Sequence, residues 1–102
     1  KAALRDWGRM KPVLDRWIRD PDLWIRRSAI LAQLHFKAET DSKTLFRHCL
    51  LRAGDPEFFI RKAIGWALRQ YARTDPDAVR SFLLENRTRL SPLSLREAGK
   101  HL

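Results

Sequence analysis

The chain has 102 residues, enough for one compact domain, and 44% of them are hydrophobic, so a packed core is within reach. Twenty-one Lys and Arg against twelve Asp and Glu leave a net charge of +9, which points to a polyanionic partner or at least to a basic face. The single cysteine, Cys49, excludes an internal disulfide, and no ligand pair stands at metal spacing, so neither a metal nor a cofactor is expected.

The chain opens at Lys1, and Ala2-Ala3-Leu4-Arg5-Asp6-Trp7 reads as ordered sequence already under way. The expectation is one domain over 1–102 that forms the C-terminal fragment of a longer protein. Val13, Leu14, Trp17 and Ile18 recur at three and four and predict a helix over 11–19, with Pro12 in its first turn. Asp20-Pro21 pairs a capping side chain with proline at the first helical position, which starts a helix over 21–36. Asp41 caps a helix over 42–53 with the stripe Leu45, Phe46, Cys49 and Leu50, and Gly54 serves as its C-cap. Asp55-Pro56 opens a helix over 56–73, Asp75-Pro76 one over 76–87, and Ser91-Pro92 one over 92–101. No segment alternates long enough for a strand, so the fold class is all-α. No apolar run reaches membrane-spanning length and no signal pattern opens the chain, which makes a cytoplasmic location the expectation.

A repeat runs beneath these elements. Ile25-Arg26-Arg27-Ser28-Ala29 returns 35 residues later as Ile60-Arg61-Lys62-Ala63-Ile64, and after another 35 as Leu95-Arg96-Glu97-Ala98. Paired helices at this period predict an α-solenoid of about three pairs. The tetratricopeptide spacing of Trp, Leu, Gly and Tyr is absent, whereas Asp-Pro, then apolar-Arg, then Ala looks like the second helix of a HEAT-type repeat. Arg26, Arg61 and Arg96 are therefore expected to be structural, each bonded to an acid in a neighbouring loop.

Chemistry is expected where the repeats differ. Position 27 is Arg, its counterpart 62 is Lys, and 97 is Glu. Lys62, Trp66, Arg69 and Arg73 stand at i, i+4, i+7 and i+11 on one helix, three cations around a tryptophan. The apolar stripe runs elsewhere, through Phe59, Ile60, Ala63, Ile64, Ala67, Leu68 and Tyr71. Two readings stay open: a core tryptophan flanked by snorkelling cations, or a cleft that neutralises phosphate and offers an aromatic face to a nucleotide. Gly65, costly in a helix by about 1 kcal/mol relative to Ala, implies close approach of another helix or of a ligand backbone. His48 is expected to be a half-buried helix residue. Asp15, Glu57, Glu85 and Glu97 fit solvated helix faces, and none demands a catalytic role.

Trp24-Ile25-Arg26-Arg27-Ser28-Ala29-Ile30-Leu31, with Gln33 to Lys37 and Thr40-Asp41 after it, resembles the DNA alkylation repair family of HEAT-like proteins, the AlkD-type DNA glycosylases. The run from Glu57 to Tyr71 and the closing Leu90-Ser91-Pro92-Leu93-Ser94-Leu95-Arg96-Glu97-Ala98 resemble it as well. The resemblance implies removal of N3- and N7-alkylated purines from double-stranded DNA held in a basic concave cleft. By that resemblance Trp66 matches a cleft tryptophan, Arg27 an arginine near the lesion and Arg69 an arginine on the DNA. Lys62 and Arg73 join them from the helical stripe alone. The chemistry is sound physically: a cationic base leaves readily, so electrostatic stabilisation and a placed aromatic do most of the work.

The family's catalytic aspartate and a second tryptophan lie in a Trp-x-x-x-Asp stretch that this chain does not contain, and Asp6-Trp7 does not reproduce the spacing. No residue present is assigned a catalytic role. The leading expectation is the C-terminal part of an alkylpurine DNA glycosylase. The alternatives are a DNA-binding module without excision activity and a protein-interaction scaffold. Helices stacked at an open N-terminal end would also favour a dimer through that end.

Overall fold

The computed structural model describes residues 5–102, so the expectation of order from Ala2 to Leu4 lies outside the described residues. Among the described residues six α-helices follow one another: α1 Trp7–Trp17, α2 Leu23–Leu31, α3 Ser42–Leu51, α4 Phe58–Ala72, α5 Pro76–Glu85 and α6 Pro92–Ala98, with a 3-10 turn at Lys37–Glu39. No strand occurs among the described residues, so the all-α class holds.

Helix starts follow their caps. The Asp41 carboxylate accepts from the Thr44 N–H at 3.1 Å, Asp75 from the Ala78 N–H at 3.0 Å, and the Ser91 hydroxyl from the Ser94 N–H at 3.1 Å. Pro76 and Pro92 each take the first turn, as expected. The other two Asp-Pro steps act differently. Asp22, not Asp20, caps α2, and the Asp20 carboxylate accepts from the Asp22 N–H at 2.8 Å. Likewise the Asp55 carboxylate accepts from the Glu57 N–H at 3.0 Å and the helix begins at Phe58. Both steps are therefore tight turns two residues ahead of a helix, because each is held by an arginine network described below. Pro12 lies inside α1 rather than in its first turn. Arg52 rather than Gly54 closes α3, and no glycine has positive φ.

The helix expected over 21–36 stops at Leu31. The cause is tertiary. The Gln33 side-chain amide donates to the Asp41 carbonyl at 3.1 Å and accepts from the Asp41 N–H at 2.6 Å. Phe36 meets Trp7 edge-on at 5.7 Å, and Trp7 donates its indole N–H to Asp41 at 3.1 Å. A continuous helix would deny all of these contacts.

The repeat period places α2, α4 and α6 side by side, with α4 in the middle packing on α2, α5 and α6. Hence α4 buries more than one stripe: Ile60, Ala63, Ile64, Gly65, Ala67 and Leu68 are all buried. With Ile18, Ile30 and Val79 they form the centre of the core. Each large aliphatic there contributes about 1.5–3 kcal/mol of hydrophobic stabilisation. On the other side α3 bridges α1 and α5. His48 and Arg47 bond to Asp15 of α1, and Phe46 stacks on Phe82 of α5 at 4.3 Å.

The predicted arginine ladder has one complete rung. Arg26 donates from Nε to Asp55 at 3.1 Å and from its terminal nitrogen to the carbonyls of Asp20 and Pro21 at 2.8 and 2.9 Å. Arg52 adds a second guanidinium on the same carboxylate oxygen, Oδ2, at 3.1 Å. Among the described residues Arg61 has no such partner, and its Nε is buried without an acceptor there. The residue 29 positions after Arg26 is Asp55, whereas the residue 29 positions after Arg61 is Leu90. Arg96 is exposed, so the expectation of three equivalent rungs is corrected to one.

Candidate nucleic-acid interface

Because α2 and α4 carry the matching 35-residue segments and pack side by side, Trp24 and its counterpart Phe59 become neighbours. Trp24 and Phe59 meet at 5.0 Å between ring centroids. Next along the two helices come Arg27 and Lys62, and then Trp66. The Arg27 guanidinium lies 5.9 Å from the centre of the Trp66 ring, within cation–π reach. Trp66 is 37% exposed, so it is not a core residue flanked by cations; its ring faces solvent beside a guanidinium.

Phe59 corrects the sequence reading. It was expected in the buried stripe, yet it is about half exposed, as are Trp24 and Phe58. Phe59, Lys62, Trp66, Arg69 and Arg73 in fact form one line at alternating spacings of three and four, a face that stays on one side of a helix. The 35-residue match of Trp24 to Phe59 was available in the sequence as the signal for this pair.

Glu97 of α6 is the second correction. It was expected on a solvated face, but its side chain is only 13% exposed and is ringed by cations. Lys62 Nζ lies 3.3 Å from Oε1, Arg69 3.7 Å from the same oxygen, and Lys100 Nζ 3.5 Å from Oε2. The hydrogen bond from Lys62, with Lys100 beside it, holds the Glu97 carboxyl below the usual range against the opposing effect of burial. Gly65 explains how it gets so close: a Cβ there would sit 2.6 Å from the Glu97 Cβ and 3.3 Å from the Ser94 carbonyl oxygen. Of the two expectations for Gly65, the close approach is that of a helix.

Arg73 sits at the far end of the line, just past α4, where it is exposed. It joins Arg69 at a small cleft of about 120 Å³ and, on its other side, lines a cleft of about 300 Å³ with Lys37, Thr40, Gln70 and Tyr71. The larger cleft has no acidic lining residue. Lys37 there has a left-handed backbone, φ 53°, stabilised by the bonds that its carbonyl accepts from the Thr40 N–H and hydroxyl. All five sequence-predicted residues thus lie along one face: Arg27 with Trp66, Lys62 with Arg69 through Glu97, and Arg73 beyond them.

This face offers cations for phosphate and flat apolar surfaces for a base or sugar. Its carboxylate, Glu97, is held by three cations. The one buried imidazole, His48, bonds to Asp15 on another side of the fold. Cys49 is enclosed, and burial pushes its thiol up to about 12, so it is inert. No group of three or more His, Cys, Asp or Glu able to hold a metal occurs among the described residues.

A basic, aromatic face on a helical fold has the charge and flat surfaces that a nucleic acid would require of a partner. The comparisons are more specific. The chain belongs to the DNA alkylation repair enzyme family, whose model matches residues 2–102. It is similar to the solved structure of a predicted DNA alkylation repair enzyme from Enterococcus faecalis, with a TM-score of 0.89 and 34% identity. The match covers 98% of this chain and 46% of that one, so the chain spans under half that protein's length. No curated protein matches it. Family membership supports a role in DNA repair.

Proposed function

We propose that the chain is the DNA-gripping, C-terminal part of an AlkD-type glycosylase that removes N3- and N7-alkylated purines, built from HEAT-like repeats. The observation that carries this reading is Trp66, solvent-facing, with the Arg27 guanidinium 5.9 Å from its ring in a row of cations. In this reading Arg27, Lys62, Arg69 and Arg73 neutralise backbone phosphates, and Trp66 lies against the alkylated nucleotide. Trp24 and Phe59 extend the aromatic surface. The ring's negative face suits a base that carries positive charge. No residue of this chain is assigned the role of catalytic carboxylate; Glu97 is engaged by three cations.

That engagement also favours a second reading, a module of the same family that binds DNA without excising bases. The two share a first test. Binding of duplex DNA, with and without a cationic alkylpurine mimic, is measured over a salt series for the chain, Trp66→Ala and Arg27→Ala. Trp66→Ala is expected to weaken binding by about 1–3 kcal/mol, the usual worth of one base–aromatic stack. Arg27→Ala should also weaken it and flatten the salt dependence. Absence of binding at low salt would remove both readings and leave the protein-interaction scaffold. Base release measured with a longer protein that contains this chain separates the two: the glycosylase reading predicts release and the module reading predicts none.

A further inference from the structure

The repeat sets a cation at Arg27, a cation at Lys62 and an acid at Glu97. The third member reverses the sign of the row, and the fold makes that reversal consequential. Glu97 does not point into open solvent; it lies against Lys62 and Arg69, with Lys100 on its other oxygen. Two of its three partners are therefore the donors that the DNA reading gives to phosphate. A carboxylate and a phosphate ask for the same N–H groups, and Lys62 and Arg69 share a single oxygen, Oε1.

We propose that Glu97 is a built-in competitor for phosphate: it occupies Lys62 and Arg69 in the free chain and yields them to an arriving phosphate, which lowers the affinity of this face for polyanions. The proposal rests on the DNA-binding reading only for who owns the phosphate. A purely structural role for the carboxylate is the rival account, and the geometry disfavours it. The contacts are 3.3 to 3.7 Å long. Lys62 and Lys100 are half-exposed, and ion pairs of this length to solvated lysines hold side chains in place only weakly. Its charge, in contrast, sits within one contact distance of the donors and subtracts directly from the potential that a phosphate meets. Gly65 keeps it there: the close α4–α6 approach is what brings the acid over the row.

The test compares the chain with Glu97→Gln, which keeps the shape and removes the charge. Both are titrated with inorganic pyrophosphate by calorimetry and with a short undamaged duplex by fluorescence anisotropy over a KCl series, and thermal melting checks that both fold. Glu97→Gln is expected to bind each ligand roughly fivefold more tightly, the effect of one charge at contact distance in water. Its duplex affinity should also depend more steeply on salt, by about one further counterion. The gain should shrink in a Lys62→Gln background. Glu97→Asp, which retracts the carboxylate but keeps the charge, should fall between and serves if Glu97→Gln folds poorly. Equal or weaker binding of both ligands by a variant that melts like the parent overturns the proposal. Tighter pyrophosphate binding with no duplex binding by either protein upholds the competitor and instead sinks the DNA reading.

Discussion

At the scale of single residues, Gly65 and Asp55 carry more than their size suggests. Gly65 lies mid-helix, where Ala ordinarily stabilises by about 1 kcal/mol. Here the added methyl would meet the Glu97 Cβ at 2.6 Å and the Ser94 carbonyl at 3.3 Å. Neither is the flexible end of a side chain, so α6 must move. Overpacking of this kind costs about 1–3 kcal/mol, so Gly65→Ala should lower stability in urea despite the gain in propensity. Its spread of Lys62 from Glu97 should show in the same variant as altered phosphate binding. Asp55 is 1% exposed and receives two guanidinium groups. Removing one partner from a buried pair costs about 3–5 kcal/mol. Asp55→Ala is expected to lower the unfolding free energy by that much, read from the urea midpoint and slope, whereas replacing Arg61, which has no carboxylate partner among the described residues, should cost far less.

At the scale of elements, α3 ties the outer layer together through one pH-sensitive contact. His48 is buried, and burial lowers its affinity for a proton; the hydrogen bond to Asp15 and that carboxylate's charge oppose this without reversing it. For Asp15, burial tends to raise the carboxyl, but the hydrogen bonds from His48 and Arg47 overcome it and the net value lies below the ordinary one. Both shifts act in one sense. A group with a depressed folded value binds its proton more readily in the unfolded chain, so acid favours unfolding. Stability is expected to be full above the ordinary histidine range and to fall as the pH drops through it, then further as Asp15 protonates. Urea midpoints from neutral to mildly acidic pH measure this. In His48→Gln the first part of the decline should vanish while the lower part remains; an unchanged profile would remove His48 as the cause.

At the scale of the whole molecule, charge decides behaviour. Within the net charge of +9, Arg27, Lys62, Arg69 and Arg73 share one face with Trp66. If each neutralises one phosphate, log affinity for duplex should fall with log salt with a slope of about −3 to −4. A slope near zero would mean that this face does not contact backbone. No helix among the described residues is long and apolar enough to cross a membrane. The described chain extends 32 × 30 × 18 Å, flat enough for α2, α4 and α6 to present one broad side.

Much of this was legible without coordinates. The 35-residue period, the caps at Asp41, Asp75 and Ser91, and the cation line on α4 are local or periodic, and local geometry follows from residue type and spacing. The period also made Lys62 the counterpart of Arg27. Misreadings cluster where a side chain has a partner far along the chain. Leu31 ends α2 because Gln33 bonds Asp41 and Phe36 meets Trp7, which no window around Leu31 contains. Phe59 looked like core because spacing of three and four cannot tell which side of a helix a neighbour will cover. Glu97 looked solvated because Lys62 and Arg69 lie some thirty residues before it. The sequence by itself determined which helices form, how often they repeat and which charges they carry. Only the tertiary structure decided that Trp66 faces solvent, that Arg61 lacks its acid and that Glu97 sits among the cations. Those outcomes depend on which helices touch and how closely, and the absent Cβ of Gly65 is what permits the closest of these contacts.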